Sequence, residues 1–194
     1  MPLTGLSDHY VSEAIYLRDP DRHGIEIYAD RPRELWEGRV GERMTTEPLD
    51  VKDLLGEADG DSDEMPAGTT MGHVHLKVSS IPQTVEFYRD VLGFDLVVER
   101  VPQAAFLSAG GYHHHLGANT WESAGAPPPP AGSAALRHVT VVLPSAEARD
   151  EAVRRVADAG QEPEATATGA LVRDPSGNAV LLTATSEPAS AQTQ

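Results

Sequence analysis

The chain has 194 residues, of which 40% are hydrophobic and 23% charged, proportions that are typical of a soluble globular protein with one large or two small domains. Asp and Glu (30) outnumber Lys and Arg (15), so the formal net charge is −15, and the chain lacks the clustered cations that nucleic acid or an anionic membrane surface would require. Cys is absent, which excludes disulfides and cysteine nucleophiles, and no apolar run approaches the ~20 residues that span a bilayer.

Residues 1–32 predict a β-hairpin. Their sequence has neither the cationic start nor the apolar core of a secretory signal, which favours a cytoplasmic protein. Apolar residues alternate in two predicted strands, Glu13–Leu17 and Gly24–Tyr28. Because an isolated two-stranded hairpin is marginally stable in water, we expect it to dock on the rest of the chain or to pair with a second copy in a homodimer.

Three stretches of the sequence are predicted to lie outside the folded modules. Residues 33–70 are interpreted as a linker, since their second half combines acidic residues, Gly and Pro without an apolar period. The run GAPPPPAGS at residues 125–133 predicts a stiff spacer. Residues 186–194 predict a disordered tail.

Two modules of similar pattern occupy residues 71–185, at 71–124 and 134–185. Each begins with an alternating strand, continues with a helix and ends with strands. The first helix has Pro82 in its first turn and Gly93 as its stop. We therefore predict an α+β fold with paired βαβββ modules that form a cupped mixed sheet.

A second repeat links the two ends of the chain. The segment Ile15–Ala29 (IYLRDPDRHGIEIYA) aligns without a gap with Ala170–Ala184 (ALVRDPSGNAVLLTA), and both predict strand, Arg-Asp-Pro turn, strand. Residues 1–32 are therefore interpreted as the remnant of another module, whose beginning is missing from this sequence.

Strand alternation places polar side chains together on one face. His73 and His75 face away from the apolar Val74, Leu76 and Val78, because residues i and i+2 share a face. His138 opens the second module in the same register, and Glu26 faces away from its apolar neighbours. Two imidazoles and a carboxylate can bind a divalent metal with open positions; the alternative is that these are solvated polar residues on half-buried strands.

The run Gly111-Tyr112-His113-His114-His115 is a second concentration of imidazole. Alternation allows either His113 with His115, or His114 alone, to face a cavity. A neutral His there could serve as acid or base near pH 7. The alternatives are an exposed polar strand and an adventitious metal site.

These patterns resemble the vicinal oxygen chelate superfamily, which includes glyoxalases, bleomycin-resistance proteins and extradiol dioxygenases. The resemblance rests on the module openings GHVHLKV and LRHVTVVLP, the helix VEFYRDVLGF and the endings DPDRHGIEIY and DPSGNAVLL. The segments SDHYVSEAIYLRDPDRHGIEIYADRPRELW and AGGYHHHLGANTW resemble two-domain extradiol enzymes of the catechol-2,3-dioxygenase type.

The resemblance implies a set of site residues. His73, His138 and Glu26 match the positions that bind Fe(II), or Mn(II), in such enzymes. His114, or its neighbour His113, matches the acid–base His. Tyr16, ten residues before Glu26, matches a substrate-binding Tyr, and the partners implied are a small catecholic substrate and O2.

The complete domain departs from this pattern, because Leu181 and Leu171 stand where the Glu and Tyr are expected. Either His113 or His115 supplies a third ligand, or the leading fragment pairs with the first complete module and brings Glu26 near His73. The leading hypothesis is a truncated and impaired catechol-2,3-dioxygenase-like protein; the alternatives are a non-catalytic small-molecule-binding module and a glyoxalase-like metalloenzyme.

Overall fold

The computed structural model describes residues 2–57, 60, 64–99, 103–130 and 132–185. The chain divides into two compact units, Met1–Gly72 with Gly111–His113, and His73–Gly110 with His114–Gln194. The tail that was predicted to be disordered, residues 186–194, lies outside the described residues. None of the helices found in the described ranges is long and apolar enough to cross a membrane.

The first unit is built on a small antiparallel sheet with the strand order β3-β2-β1-β4. Its strands are β1 (Leu3–Asp8), β2 (Ser12–Arg18), β3 (Gly24–Asp30) and β4 (Glu47–Pro48). Its helices are α1 (Arg33–Trp36), α2 (Val40–Arg43) and α3 (Val51–Gly56). Its buried apolar residues are Val11, Ala14, Trp36, Val40 and Leu49.

The structure contains the predicted hairpin and extends it. Strands β2 and β3 pair with Ile15 opposite Ile27, but β1 and β4 add two strands on the other side of β2. Three helices and β4 lie in residues 33–56, which the sequence assigns to a linker. Trp36 in α1 is buried, and its indole N–H donates to the carbonyl of Arg31 at 2.8 Å.

Arg31 joins three strands of the first unit at one end. Its guanidinium donates two hydrogen bonds to the carboxylate of Asp8, at 2.6 and 2.8 Å, and a third to Glu13 at 3.0 Å. Asp8 ends β1, Glu13 lies in β2, and Arg31 follows β3 directly. Such a paired fork–carboxylate contact has a defined geometry, so it holds these strand ends in one arrangement.

The second unit contains the two predicted βαβββ modules. The first has β5 (Val74–Lys77), α4 (Ile81–Val85, continued as a π-helix over Glu86–Val91), β6 (Asp95–Val98), β7 (Ala104–Ser108) and β8 (Leu116–Asn119). The second has β9 (Val139–Leu143), α5 (Ala146–Asp158), β10 (Glu164–Ala165), β11 (Gly169–Arg173) and β12 (Ala179–Ala184). In each module the first and last strands pair in parallel and the other pairs are antiparallel, which confirms the α+β prediction.

Both helices begin at a serine cap. The hydroxyl of Ser80 caps α4 by accepting from the amide of Gln83, and the hydroxyl of Ser145 caps α5 by accepting from the amide of Ala148. Gly93 follows the first helix with a φ of +91°, which glycine adopts without a side-chain clash. The core that these helices cover includes Tyr88, Leu107, Val156, Val172, Val180 and Leu182.

The turn repeat that links the two ends of the chain is present in three dimensions. Asp19 follows β2 and its carboxylate accepts from the amide of His23 at 2.7 Å. Asp174 follows β11 and accepts in the same way from the amide of Asn178 at 2.8 Å. The carboxylate of Asp174 is buried and also accepts from the hydroxyl of Tyr88 at 3.3 Å. The two segments therefore fold alike.

Side-chain truncations on the two faces of the second module's sheet should lower the stability by different amounts. Leu182 pairs with Val141 and is 1% exposed, whereas Val142 lies on the other face and is 59% exposed. We expect Leu182→Ala to lower the free energy of unfolding by about 2–5 kcal/mol, because it leaves a cavity. The control, Val142→Ala, should cost about 1 kcal/mol or less. Urea denaturation followed by circular dichroism measures both, and similar losses would contradict this core assignment.

The Arg31 contact predicts a pH dependence for the first unit. The hydrogen bonds from Arg31 hold the pKa of Asp8 below its ordinary value of 3.8. The contact therefore stabilises the folded state above that value and is lost as the pH falls through the lower folded-state pKa. We expect the free energy of unfolding to fall less steeply below about pH 4 in Asp8→Asn than in the unaltered protein. Asp21→Asn, in the exposed β2–β3 turn, is the control and should keep the original slope.

Candidate functional site

In the first unit, Tyr16 and Glu26 lie directly opposite each other on β2 and β3. The hydroxyl of Tyr16 donates to Oε1 of Glu26 at 3.0 Å, and Nε2 of His9 lies 2.6 Å from the same hydroxyl. Nδ1 of His9 lies 2.7 Å from the carbonyl oxygen of Thr45, which can only accept. The structure thus brings together the two predicted residues and adds His9.

The hydrogen bonds that join His9, Tyr16 and Glu26 limit where their protons can lie. Nδ1 of His9 must donate to Thr45, so a neutral His9 would have to accept the Tyr16 proton at Nε2. In the structure Tyr16 donates to Glu26 instead, and Nε2 of His9 lies beside the hydroxyl oxygen. Burial, and then the charge of Glu26 and its hydrogen bond, raise the pKa of Tyr16 well above its ordinary value, so its hydroxyl stays protonated. The three side chains can pass one proton along short hydrogen bonds.

His9 is missing from the residues predicted above. It lies in the tight turn between β1 and β2, where its amide donates to the carbonyl of Ser12 at 2.9 Å and Tyr10 has a φ of +69°. The signal that could have found it is a hydrogen-bonding residue at a turn, seven residues before Tyr16. Strand periodicity carries no information about turn residues, so it does not point to His9.

His113 belongs to a different network in the first unit. It is completely buried, and its Nε2 lies 2.8 Å from Oδ1 of Asp30. The other carboxylate oxygen of Asp30 accepts from the hydroxyl of Tyr112 at 2.8 Å, and that hydroxyl lies 2.9 Å from the hydroxyl of Tyr28. A nitrogen that is hydrogen-bonded to a carboxylate cannot also bind a metal. That contact leaves only Nδ1 of His113 for a ligand, and His113 as a third ligand stays a prediction.

In the second unit, His73 and His114 come together. Their ring centroids are 4.3 Å apart, and His114 also contacts the ring of Phe106 edge-on at 5.1 Å. His114 is buried. The predicted metal ligand and the predicted acid–base residue of this unit are therefore neighbours.

The ring of His115 contacts the end of the neighbouring strand β7. Its Nδ1 accepts from the amide of Ala109 at 3.2 Å and lies 3.4 Å from the hydroxyl of Ser108. Burial, and then the charge of His73, lower the pKa of His115. A ring whose Nδ1 accepts a backbone hydrogen bond has only Nε2 left for a ligand, which limits its use as a third metal donor.

His138 and Leu181 lie in the second module. His138 is half-buried just before β9, and half-buried Leu181 pairs with Thr140 on the face opposite the buried Val180 and Leu182. An alkyl side chain there cannot bind a metal. Across the described ranges, no three His, Asp or Glu side chains are grouped so that they could hold a metal ion. The ligand set His73, His138 and Glu26 stays a prediction.

A family model described as the Glyoxalase/Bleomycin resistance protein/Dioxygenase superfamily matches residues 70–182. The matched range contains the first module and the second module as far as Leu182 in β12. The chain belongs to this superfamily. The resemblance predicted from the module openings and endings is thereby confirmed at the level of the superfamily.

Individual proteins are also similar to this chain. It is 47% identical over 181 residues to a catechol-2,3-dioxygenase of Bacillus subtilis (strain 168), in an alignment that covers 91% of this chain and 64% of that protein. The chain thus spans less than two thirds of that relative's length. It is also similar to the solved structures of a lactoylglutathione lyase from Agrobacterium tumefaciens (23% identity, TM-score 0.47, 62% of this chain and 96% of that one) and a possible glyoxalase from Bacillus cereus (19%, 0.47, 59% and 97%).

The hydrogen-bond chain in the first unit predicts the effect of removing one hydroxyl. Tyr16→Phe deletes the contacts to both His9 and Glu26, so we expect the free energy of unfolding to fall by about 1–3 kcal/mol. The control is Tyr10→Phe, which removes one exposed hydrogen bond to the carbonyl of Leu35 and should cost less than about 1 kcal/mol. Chemical denaturation at pH 7 measures both free energies of unfolding. Equal losses would mean that the hydrogen bonds of Tyr16 with His9 and Glu26 do not stabilise the first unit.

Proposed function

We propose that this superfamily member acts in extradiol cleavage of a catecholic ring, with O2 as co-substrate and Fe(II), or Mn(II), as the metal. The ring would open beside a hydroxyl-bearing carbon. The observation that carries the proposal is the 47% identity to a catechol-2,3-dioxygenase across 91% of this chain. Because the alignment covers 91% of the chain, it includes the segments that supply Glu26, His73 and His114.

His114 is suited to accept a proton from a catechol hydroxyl. An imidazole changes its charge near pH 7, so it can serve as base and then as acid in one reaction. Its position against His73 and Phe106, away from bulk water, fixes the direction of its ring. In the proposed reaction it takes up the substrate proton and returns it to the opened product.

Tyr16 is suited to donate its single hydroxyl proton to a substrate oxygen in place of Glu26, which accepts that proton in this structure. Its raised pKa keeps the hydroxyl protonated, and its contacts with His9 and Glu26 hold it in place. In the proposed reaction it binds the substrate and does not lose its own proton.

The choice of metal rests on the chemistry of its proposed ligands. Two imidazoles and one carboxylate form the ligand set that Fe(II) oxygenases use while keeping positions open, and His73, His138 and Glu26 are the residues proposed for it. Since the described residues do not gather three such donors, no reaction step is assigned to the ion. Its retention by the protein has to be measured directly.

Oxygen uptake tests the proposal. The purified protein, loaded with Fe(II) under anaerobic conditions, should consume O2 when catechol is added. His114→Phe keeps a ring in the buried position, and we expect it to lower kcat by about 10²- to 10⁴-fold. His73→Ala should lose the retained metal. The control is His23→Ala, a 58% exposed side chain in the β2–β3 turn, which should keep both metal and activity.

Three outcomes would contradict the proposal. Metal-free protein that binds catechol without O2 uptake would identify a binding module. Thiol-dependent isomerisation without O2 uptake would identify glyoxalase-type chemistry. Unchanged metal content in His73→Ala would remove that residue from the ligand set.

A further inference from the structure

Strand β3 (Gly24–Asp30) lies at the edge of the sheet in the first unit. The strand order is β3-β2-β1-β4, so within the described ranges β3 pairs with β2 alone. At one end of this pair, the amide of Asp19 donates to the carbonyl of His23. At the other end, the amide of Arg31 donates to the carbonyl of Val11. Because hydrogen-bonded positions alternate along an antiparallel pair, the odd-numbered residues of β3 bond to β2, and the backbone groups of the even-numbered residues face the outer edge.

A strand with the same sequence pattern has neighbours on both sides in the second unit. In the repeat that links the two ends of the chain, β3 aligns with β12, which pairs with β11 on one side and with β9 on the other. Val180 and Leu182 of β12 are 0% and 1% exposed. The aligned Ile25 and Ile27 of β3 are 37% and 41% exposed. The first unit therefore leaves at an edge a strand whose counterpart is central.

The composition of β3 permits another strand to pair with it. Edge strands are commonly protected from such pairing by Pro, by Lys, by short length or by bulges. Strand β3 has seven residues, contains neither Pro nor Lys, and pairs with β2 over its whole length without a register shift. By contrast, β4 at the opposite edge of the same sheet has two residues, and one of them is Pro48. The unprotected edge of this sheet is therefore β3.

The charges of β3 select one register for pairing with the same strand of a second copy. Two identical antiparallel strands are related by a twofold axis that passes between the two copies of one central residue. An axis at Glu26 would place two carboxylates opposite each other, and an axis at Tyr28 would place Glu26 opposite Asp30. Like charges in directly opposite positions destabilise a strand pair. An axis at Ile27 avoids both contacts and places Glu26 opposite Tyr28.

We infer that the protein forms a symmetric dimer in which β3 pairs with β3 of a second copy about Ile27. The even-numbered residues, whose backbone groups face the edge, exchange the hydrogen bonds, and the two four-stranded sheets become one. Because both copies use the same strand, the contact closes on itself. A seven-residue contact is small for a protein interface, so we expect a reversible dimer with a Kd of about 1–100 µM. This inference is independent of the proposed reaction.

Single cysteines test the register directly, because the chain has none of its own. Ile27→Cys places two thiols at a directly opposite pair that does not exchange hydrogen bonds, where the Cα atoms are about 4.5 Å apart. Air oxidation of the full chain should then give a disulfide-linked dimer on a non-reducing gel. The matched control is Ile25→Cys, at a similarly exposed position. Its two thiols lie about 13 Å apart along the strands, which is beyond the reach of a disulfide, so this variant should not cross-link.

Paired charges test the same register without a covalent bond. Ile25 faces Ala29 of the other copy, and this pair occurs twice in the dimer. Ile25→Glu combined with Ala29→Lys should keep the Kd within about threefold, whereas Ile25→Lys combined with Ala29→Lys should raise it at least about tenfold. The second variant has the smaller net charge, so general repulsion predicts the opposite order. Light scattering coupled to size-exclusion chromatography measures the Kd, and circular dichroism checks that each variant is folded.

A further control separates the strand edge from the face of the sheet. Leu3→Lys adds a charge at an exposed apolar residue of β1, two strands away from the edge, and should leave the Kd unchanged. If it weakens the dimer as much as the two-lysine variant does, the contact is the sheet face and the inference is wrong. Equal cross-linking of Ile25→Cys and Ile27→Cys overturns the register. A protein that stays a monomer at about 500 µM overturns the dimer itself.

Discussion

The parallel pairing of the first and last strand of each module is the constraint on which the second unit depends. Two parallel neighbours need a crossover between them, and α4 and α5 lie on that connection and cover the core. The opposite face then receives side chains from strands that are distant in sequence. This is how His75 comes to lie beside Gly117, and Leu181 beside Thr140.

Period-two alternation made much of this arrangement predictable. Leu76 and Val78 are buried while His75 and Lys77 are exposed, as the sequence of the first module indicates. The helix caps at Ser80 and Ser145 depend on local chemistry and could likewise be seen in the sequence. The turn repeat could be predicted too, because an Asp side chain that accepts from an amide four residues later needs only those few residues.

Contacts that no local period encodes could not be predicted. The helices of residues 33–56 have only four to six residues each, too few to show a helical period. His113 was grouped with His114 and His115 by sequence, yet Gly110 and Gly111, both with positive φ, turn the chain so that His113 bonds to Asp30. Alternation places a histidine on a face and does not say which distant carboxylate it meets.

The chain holds two tryptophans, and each belongs to a different unit. Trp36 is 2% exposed and Trp121 is 63% exposed, so their fluorescence differs in wavelength: the buried indole emits towards the blue and the exposed one towards the red. Unfolding of the first unit alone shifts the blue emission and leaves the red emission in place. The protein therefore carries an intrinsic optical report on whether its two units unfold in one cooperative step or separately.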